Sequence, residues 1–375
     1  MIDPVTILIV LIFLSVLVFV HELGHFLVAK RAGVWVEEFG IGIPPRVWGK
    51  KIGNTLYSIN ALPLGGFVRL HGETDEGKTR YPKRAFVNKS AKARVFISTA
   101  GIVMNILFAA FCFSVIYTFS GIPKVRDLGY VLIQDVRANT PAFDASFAAG
   151  DQVLKVNGNS IKTNEEFINA ITENRDRQAR VEVKRKDQSV VLYVTPKIEK
   201  DDKGVERAMI GVVVTSKEQY LYYPPFILRP LYGVYYGVQD TWFYSRETIL
   251  GLLRIVGQLL SGVVPKDVGG PVVIVAVTAE AAKSGIGPLL SLAGIISLNL
   301  AFFNLIPFPP LDGSRVLIIV LEKILKKKLR TNWESKIYTV GMMILLLLVV
   351  LLTYRELPKL ISAGSFSKFI DSLMK

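Results

Sequence analysis

The chain has 375 residues, of which 51% are hydrophobic, and its mean hydropathy is +0.39. This composition excludes an ordinary soluble enzyme and predicts several membrane spans joined to a water-exposed module. The formal net charge is +14, but residues 30–94 contain 13 Lys and Arg against 5 Asp and Glu, whereas residues 120–285 contain 21 against 19. A basic excess that is confined to the flanks of apolar segments is typical of cytoplasmic loops, so nucleic-acid binding is not predicted.

The first apolar segment, residues 1–29, has the length of a membrane span and ends in the pattern H-E-x-x-H. Residues four apart share a helix face, so His21 and His25 can offer two imidazole nitrogens to one metal ion, with Glu22 close to a water on it. Ionisable groups at membrane depth are costly and usually functional. The motif therefore predicts a hydrolytic metal centre, against the alternative of a chance match at the end of a span.

Residues 33–70 consist of short β-prone pieces broken by glycine and proline, none long enough to cross a bilayer as a helix. Strand backbone near a membrane is tolerated where it is buried in protein or lines a wet cavity. We therefore expect a re-entrant β-hairpin beside His21 and His25, with an open edge that can take a substrate as an added strand. A cytoplasmic β-ribbon that does not contact substrate is the alternative. His71 follows in a polar loop and is expected to be solvated rather than a metal ligand.

Residues 95–119 predict the second span. Within it, Gly101 permits a close approach between helices, and Asn105 is expected to make a helix-packing hydrogen bond rather than to act in catalysis. Cys112 is the one cysteine of the chain, so an intrachain disulfide is excluded. We expect Cys112 to be a small apolar packing residue.

Residues 121–215 alternate between strand-like and turn-like sequence and predict an α+β domain outside the membrane. The predicted elements are a strand at 129–136, a strand within 149–158, a helix at 165–173 and a hairpin of 180–185 with 190–195. The segments V-x-x-x-x-P-A-x-x-A at 136–145 and A-G-D-x-V-x-x-V-N-G at 149–158 resemble PDZ domains of the permuted bacterial kind. The resemblance implies a domain that either binds extended peptides along a strand edge or acts as a steric filter.

Aromatic side chains are concentrated between residues 220 and 244, and Pro230 suits a helix start. Amphipathic aromatic residues favour the headgroup level of a bilayer, so an interfacial helix is expected here, followed by a connecting helix after Gly270.

The third span, residues 285–306, leads into three prolines in four positions, at 307, 309 and 310. These prolines must break the helix, so the carboxylate of Asp312 lies on unwound backbone. Two histidines leave a hydrolytic zinc one protein ligand short, and carboxylates at membrane depth usually have partners. Asp312 is therefore predicted to be the third ligand. The alternative is that it caps a helix over residues 314–329.

The combination of H-E-x-x-H in the first span with N-x-x-P-x-P-x-L-D-G at residues 304–313 resembles the site-2 protease family of intramembrane zinc proteases. The order of parts is similar to that of the bacterial branch that cleaves anti-sigma factors, in a version with one PDZ domain. The resemblance extends over nearly the whole chain. One departure is Ile102, which stands where the family pattern A-G-P-x-x-N has proline.

This resemblance implies Zn2+ bound by His21, His25 and Asp312, with Glu22 as general base. The residues that it implies for substrate binding are Asn299, Asn304, Gly65, Gly66 and Phe67. The implied function is zinc-dependent hydrolysis of a peptide bond in or near the transmembrane segment of single-span, anti-sigma-factor-like membrane proteins. The alternatives are a membrane metal transporter or sensor and an inactive membrane chaperone. A transporter would leave Glu22 and the helix-breaking prolines unexplained.

A fourth span is predicted at residues 337–353, after the basic loop that begins at Lys323. Positive loops face the cytoplasm, so both termini and the PDZ-like domain are expected outside, with the active site toward the cytoplasmic side of a bacterial inner membrane. The fold class is a polytopic α-helical membrane protein with four transmembrane helices, a re-entrant β-hairpin and one extracytoplasmic PDZ-like α+β domain. Its predicted parts are 1–32 (first span), 33–94 (re-entrant region and cytoplasmic loop), 95–120 (second span), 121–215 (PDZ-like domain), 216–284 (interfacial and connecting helices), 285–335 (third span and cytoplasmic helix) and 336–375 (fourth span and tail).

Overall fold

The computed structural model describes residues 4–73, 81–200, 206–263, 269–326 and 331–373. Most of the predicted basic loop after Lys326 therefore lies outside the described residues. The chain forms two compact units, Met1–Ser120 with Pro224–Lys375, and Gly121–Tyr223. The first unit is mainly helical and the second is mainly β-sheet.

The helices and strands are numbered in chain order. The described helices are α1 (Pro4–Arg31), α2 (Ala91–Phe119), α3 (Pro141–Asp144), α4 (Asn164–Glu173), α5 (Arg229–Leu260), α6 (Pro271–Ser284), α7 (Ile286–Asn304), α8 (Asp312–Leu325), α9 (Thr331–Ala363) and α10 (Phe366–Leu373). The described strands are β1 (Val36–Ile52), β2 (Thr55–Leu70), β3 (Ile122–Val136), β4 (Gln152–Val156), β5 (Asn159–Ser160), β6 (Ala179–Arg185), β7 (Gln188–Val194), β8 (Lys197–Lys200), β9 (Glu206–Met209) and β10 (Val212–Tyr222).

Within the described residues, four helices are long and apolar enough to cross a membrane: α1, α2, α7 and the Lys336–Ala363 part of α9. They correspond to the four predicted spans. The predicted second span begins four residues too late, because α2 includes a charged first turn. That turn is stabilised by Ser90, whose Oγ accepts a hydrogen bond of 3.3 Å from the backbone N–H of Ala93.

Close packing of α1 against α2 depends on glycine. A Cβ at Gly24 would overlap the backbone carbonyl of Ala100. Nearer the other end of α1, Phe13 and Leu17 are buried in a cluster with Cys112 and Ala293. Cys112 is fully buried there, as the sequence predicts. These contacts pack α1 against α2 and α7.

The region after α1 is a β-hairpin of β1 and β2 that is folded back on itself. Segment 36–41 pairs both with 66–70 and with 56–59, while 46–52 pairs with 55–60. Segments 66–70 and 46–52 therefore form the two edges of this small sheet. A β-hairpin is therefore present in this region, and its re-entrant position in a membrane stays a prediction.

His71, which directly follows β2, is only 5% exposed, so the expectation that it is solvated is wrong. Its Nδ1 lies 2.7 Å from the Glu37 carboxylate, and its ring packs against Trp35 with 4.7 Å between the centroids. A polar local sequence suggested solvent, but the hairpin places an aromatic ring and a carboxylate from β1 and its flank around this side chain.

The second unit is built on a sheet with the strand order β10-β3-β4-β6-β7, with β5 paired to β4. Helix α4 covers the predicted helix and starts at a capping box formed by Thr163 and Glu166. The predicted end of this domain at residue 215 falls inside β10. That strand pairs with β3 from Val212 to Tyr222, so the first and last strands of the unit lie side by side. This is the α+β architecture expected of a PDZ-like domain.

A buried ion pair stabilises this unit. The Asp151 carboxylate, which is fully buried, accepts hydrogen bonds of 2.7 Å from Nε and from Nη2 of Arg185. It also accepts a hydrogen bond of 2.9 Å from the backbone N–H of Ala148. The A-G-D segment singled out in the sequence thus carries a structural carboxylate.

Arg185→Met is expected to destabilise this unit by about 3 kcal/mol, because it leaves Asp151 charged and buried without its cation. Arg180→Met, which removes only the exposed pair with Glu182, should cost less than about 1 kcal/mol. Limited proteolysis of the full chain at increasing urea, following cleavage within residues 121–223, measures both. Equal protease sensitivity of the two variants would show that the buried pair does not stabilise the unit.

Candidate active site

The predicted metal-binding side chains converge at the end of α1. His21 and His25 lie one turn apart on the buried side of the helix, 6% and 8% exposed, with 3.2 Å between their Nε2 atoms. The Oδ2 atom of Asp312 lies 3.0 Å from His21 Nε2 and 3.2 Å from His25 Nε2. Among the His, Cys, Asp and Glu side chains that the structure describes, these three form a group that could hold a metal ion. Their potential ligand atoms all lie within 4.8 Å of one another.

Asp312 reaches the histidines because the backbone is broken between α7 and α8. The prolines end α7 at Asn304, and α8 begins at Asp312 itself. A Cβ at Gly313 would overlap the carbonyl of Leu305, so the chain can return this closely only with glycine at that position. The residue before α8, Leu311, makes no side-chain capping bond, and the Asp312 carboxylate faces the histidines. The alternative in which Asp312 caps α8 is therefore not what the structure shows.

The second ring nitrogen of each histidine has its own partner on α2. His25 Nδ1 lies 2.7 Å from the backbone carbonyl of Ile97. A carbonyl can only accept, so Nδ1 carries the proton and Nε2 presents a lone pair. His21 Nδ1 lies 3.2 Å from the side-chain amide of Asn105, whose Oδ1 is buried without a hydrogen-bond partner. Turning that amide over lets Oδ1 accept from His21 Nδ1, which gives His21 the same tautomer.

These tautomers leave three hydrogen-bond acceptors facing one another. Asp312 Oδ2 is buried and has no hydrogen-bond donor among the described residues. Two imidazole lone pairs and a carboxylate oxygen repel one another in a medium of low dielectric constant unless a cation lies between them. Two histidine nitrogens and one carboxylate oxygen are also the donor set of hydrolytic zinc sites that keep one position open. The residues present therefore fit Zn2+.

Glu22 lies beside these three side chains in a cavity of about 340 Å³. Strand β2 of the hairpin runs close to Glu22, since a Cβ at Gly66 would be 3.7 Å from Glu22 Cγ. The residues that line the cavity are Val18, His21, Glu22, His25, Phe67, Val68, Leu70, Glu73, Ile97, Ser98, Leu300, Asn304, Pro310, Asp312 and Arg315. The cavity thus brings together the end of α1, the edge segment 66–70, α2 and the broken segment before α8.

The residues implied for substrate binding lie at different distances from this cavity. Phe67 and Asn304 line it, and a Cβ at Gly66 would come within 3.7 Å of Glu22. Gly65 lies against Val18 of α1. Asn299 is elsewhere: its Oδ1 accepts a hydrogen bond of 2.9 Å from Thr248 on α5.

Sequence reasoning missed two charged residues of the cavity, Arg315 and Glu73, which form an ion pair. Arg315 lies one turn after Asp312 on α8, so the i, i+3 spacing could have indicated it. Nothing local to Glu73 indicates its partner on α8. Burial by itself lowers the pKa of Arg315, but the Glu73 carboxylate and the nearby Tyr338 raise it above its usual value, so Arg315 stays charged.

Gly101 was predicted to allow close helix approach, and the structure shows what it approaches. A Cβ at this position would lie 2.5 Å from His25 Nε2 and 2.7 Å from His21 Nε2. The absence of a side chain on α2 therefore leaves room for the ligand atoms themselves.

Comparison with known proteins matches residues 9–348 to the model of Peptidase family M50. A Clostridium perfringens protein named as a zinc metalloprotease is 33% identical over 343 residues, which cover 92% of this chain and 96% of that protein. The zinc metalloprotease RasP of Geobacillus kaustophilus is 28% identical over 92% of this chain and 95% of its own length. The regulator of sigma-W protease RasP of Bacillus subtilis is 26% identical over 95% of this chain and 99% of its own.

Among solved structures, the PDZ domain of an SdrC-like protein from Listeria monocytogenes is 27% identical. The match covers 24% of this chain and 92% of that domain, with a TM-score of 0.21.

Gly101→Ala is expected to weaken zinc binding by about tenfold or more, because the added methyl group displaces the imidazole that it would overlap. Gly251→Ala on α5 is the control, since a Cβ at that position would have no neighbouring atom within 4 Å. Metal analysis of both purified variants after equilibration with a competing chelator tests this. If Gly101→Ala retained as much zinc as Gly251→Ala, the close approach of α2 would not matter for the ligands.

Proposed function

This chain belongs to peptidase family M50 and is a zinc metalloprotease, and from that premise we propose that His21, His25 and Asp312 hold the zinc ion while Glu22 acts as general base. The observation that carries the assignment is the convergence of three buried acceptor atoms beside a fourth, acidic side chain. A transporter or sensor would need the three ligands but not Glu22.

Zinc, when bound, polarises a carbonyl and lowers the pKa of water toward neutrality. Glu22 takes the proton of the attacking water on its carboxylate and returns it to the leaving amine as the peptide bond breaks. The Ile97 carbonyl and Asn105 keep the Nδ1 protons of the two histidines in place, so that both Nε2 atoms stay available as ligands.

We propose that the substrate lies along the edge segment 66–70. A transmembrane helix cannot be cut while its backbone hydrogen bonds are closed, so it must unwind and find other partners. Segment 66–70 has one unpaired edge in this sheet, and Phe67 and Val68 line the cavity with Glu22. A strand added there would bring a peptide bond past the catalytic carboxylate, with the Asn304 amide on another wall of the same cavity.

The hairpin is proposed to be re-entrant, at the depth of the bilayer. Large apolar side chains that would otherwise contact water support this position, because exposed clusters of this kind mark membrane or partner surfaces. Among the side chains of β1 and β2 that the structure describes, the large apolar ones at least 40% exposed are Ile41, Ile43, Val47, Trp48, Ile52, Ile59 and Leu62.

We propose single-span membrane proteins of the anti-sigma-factor kind as substrates. A relative that matches nearly the full chain is named as a regulator of sigma-W protease. The basic segment 30–94 argues for a cytoplasmic position of the loop after the hairpin. If that loop is cytoplasmic, the PDZ-like domain and both termini lie outside a bacterial cytoplasmic membrane. The catalytic cavity then opens toward the cytoplasmic side of that membrane.

Glu22→Gln is expected to retain zinc and to lower cleavage by about a thousandfold, since general acid–base catalysis is lost while the ligands remain. Glu280→Gln, which changes an exposed carboxylate on α6, is the control. The experiment compares membrane peptides that accumulate in cells with wild type and with each variant. Cleavage by Glu22→Gln at the wild-type rate would remove Glu22 as the base.

Asp312→Ala is expected to reduce zinc content together with activity, because two histidines alone leave the ion short of a protein ligand. Asp371→Ala, at an exposed position on α10, is the matched control. Metal analysis after dialysis decides the question. Full and tight zinc occupancy in Asp312→Ala would show that the third ligand is another residue.

A further inference from the structure

The wall of the catalytic cavity contains an ion pair to which the proposed mechanism assigns no role. Arg315 Nη1 contacts Glu73 Oε1, and both residues line the cavity together with Glu22. The Glu73 side chain is 14% exposed, whereas the Arg315 side chain is 34% exposed. The Arg315 side chain is therefore the more accessible of the two, and it is paired with a largely buried carboxylate.

Arg315 is also placed to act electrostatically on the reacting groups. It lies one helical turn after Asp312 and lines the same cavity as Glu22. A guanidinium has five N–H donors in a planar fork. Within the protein, the polar partners of Arg315 are Glu73 and Tyr338. Its remaining surface contributes to the cavity in which a peptide bond would be hydrolysed.

We propose that Arg315 donates a hydrogen bond to the carbonyl oxygen of the scissile peptide as negative charge develops on that oxygen, and that Glu73 is the positioning residue for Arg315. The proposal rests on the proposed function. The oxygen of water bonds to the carbonyl carbon, the π electron pair moves to the carbonyl oxygen, and Glu22 takes the proton of water. When the carbon–nitrogen bond breaks, that proton goes to the amine, and Arg315 remains protonated throughout.

The physical reason is charge balance. Zinc, when bound, would supply two positive charges, one of which the Asp312 carboxylate offsets, and Glu22 becomes neutral as it takes the proton of water. A further fixed cation on the cavity wall would stabilise the developing oxyanion in addition to the metal and so lower the barrier. Such a donor contributes little to binding of the neutral ground-state carbonyl, so its loss should reduce kcat more than it raises KM.

A purely structural role for the pair is the competing explanation, and α8 offers a matched control. Two turns further on, Glu322 accepts a hydrogen bond of 2.7 Å from Arg94 of α2, and both side chains are about one-tenth exposed. This second buried pair joins α8 to its neighbours without lining the cavity.

The first test uses paired substitutions in the full-length, zinc-loaded enzyme. Because Arg315→Met alone leaves Glu73 buried and unpaired, the informative variant is Glu73→Gln with Arg315→Met, which removes both charges. We expect wild-type zinc content and thermal stability, a kcat lowered about 100-fold or more, and a KM within about threefold of wild type. Arg94→Met with Glu322→Gln should keep the wild-type kcat. A wild-type kcat in the variant Glu73→Gln with Arg315→Met would overturn the proposal, because it would show that the ion pair is only structural.

The second test does not depend on turnover. A substrate peptide in which a phosphinate replaces the scissile amide mimics the tetrahedral oxygens. Its affinity should fall about 100-fold in the cavity double variant, and Arg315→Lys should recover part of it. Unchanged phosphinate affinity would overturn the role of Arg315. The proposed function itself would be wrong if the wild-type protein cleaved no membrane substrate, so that the membrane peptides in cells were the same with wild type and with Glu22→Gln.

Discussion

Mutual repulsion among three acceptor atoms is the constraint around which the helical unit is built. His21 Nε2, His25 Nε2 and Asp312 Oδ2 lie about 3 Å apart in a buried site, an arrangement that is unfavourable without a cation. Packing must therefore hold the three together. The ring orientation comes from acceptors on α2, and the space comes from Gly101. The carboxylate comes from the first residue of α8, directly after a segment that proline prevents from being helical.

The same constraint explains why irregular backbone surrounds the site. A continuous helix would carry Asp312 onward along the axis of α7, away from α1. The break costs backbone hydrogen bonds, and unpaired backbone of this kind is tolerated at membrane depth only where it is buried in protein or lines a cavity. The same cavity is lined by residues of the edge segment 66–70 and by Asn304, where we propose that an unwound substrate makes equivalent bonds. Structural need and catalytic need thus coincide in one irregular region.

Helix α8 connects these features. Its first residue is the proposed metal ligand Asp312, its next turn carries Arg315 on the cavity wall, and a later turn pairs with Arg94 of α2. Asp312, Arg315 and Glu322 recur at spacings of three and seven, so they share one face of the helix. One face of this helix therefore carries the proposed ligand Asp312, the cavity cation Arg315 and Glu322, which pairs with α2. A rotation of α8 would displace all three side chains.

The sequence by itself determined the four apolar helices, the strands and helix of the second unit, and the identity of the three candidate ligands. These follow from periodicity, helix breaking and residue chemistry, which act over a few neighbouring positions. Only the tertiary structure decided that His71 is buried between Trp35 and Glu37, that β10 closes the second unit beside β3, and that Glu73 pairs with Arg315. Each of these contacts joins segments with no shared local pattern. The energy of each contact depends on the cost of removing polar groups from water and on the gain from pairing them. Those groups meet only after the chain has folded.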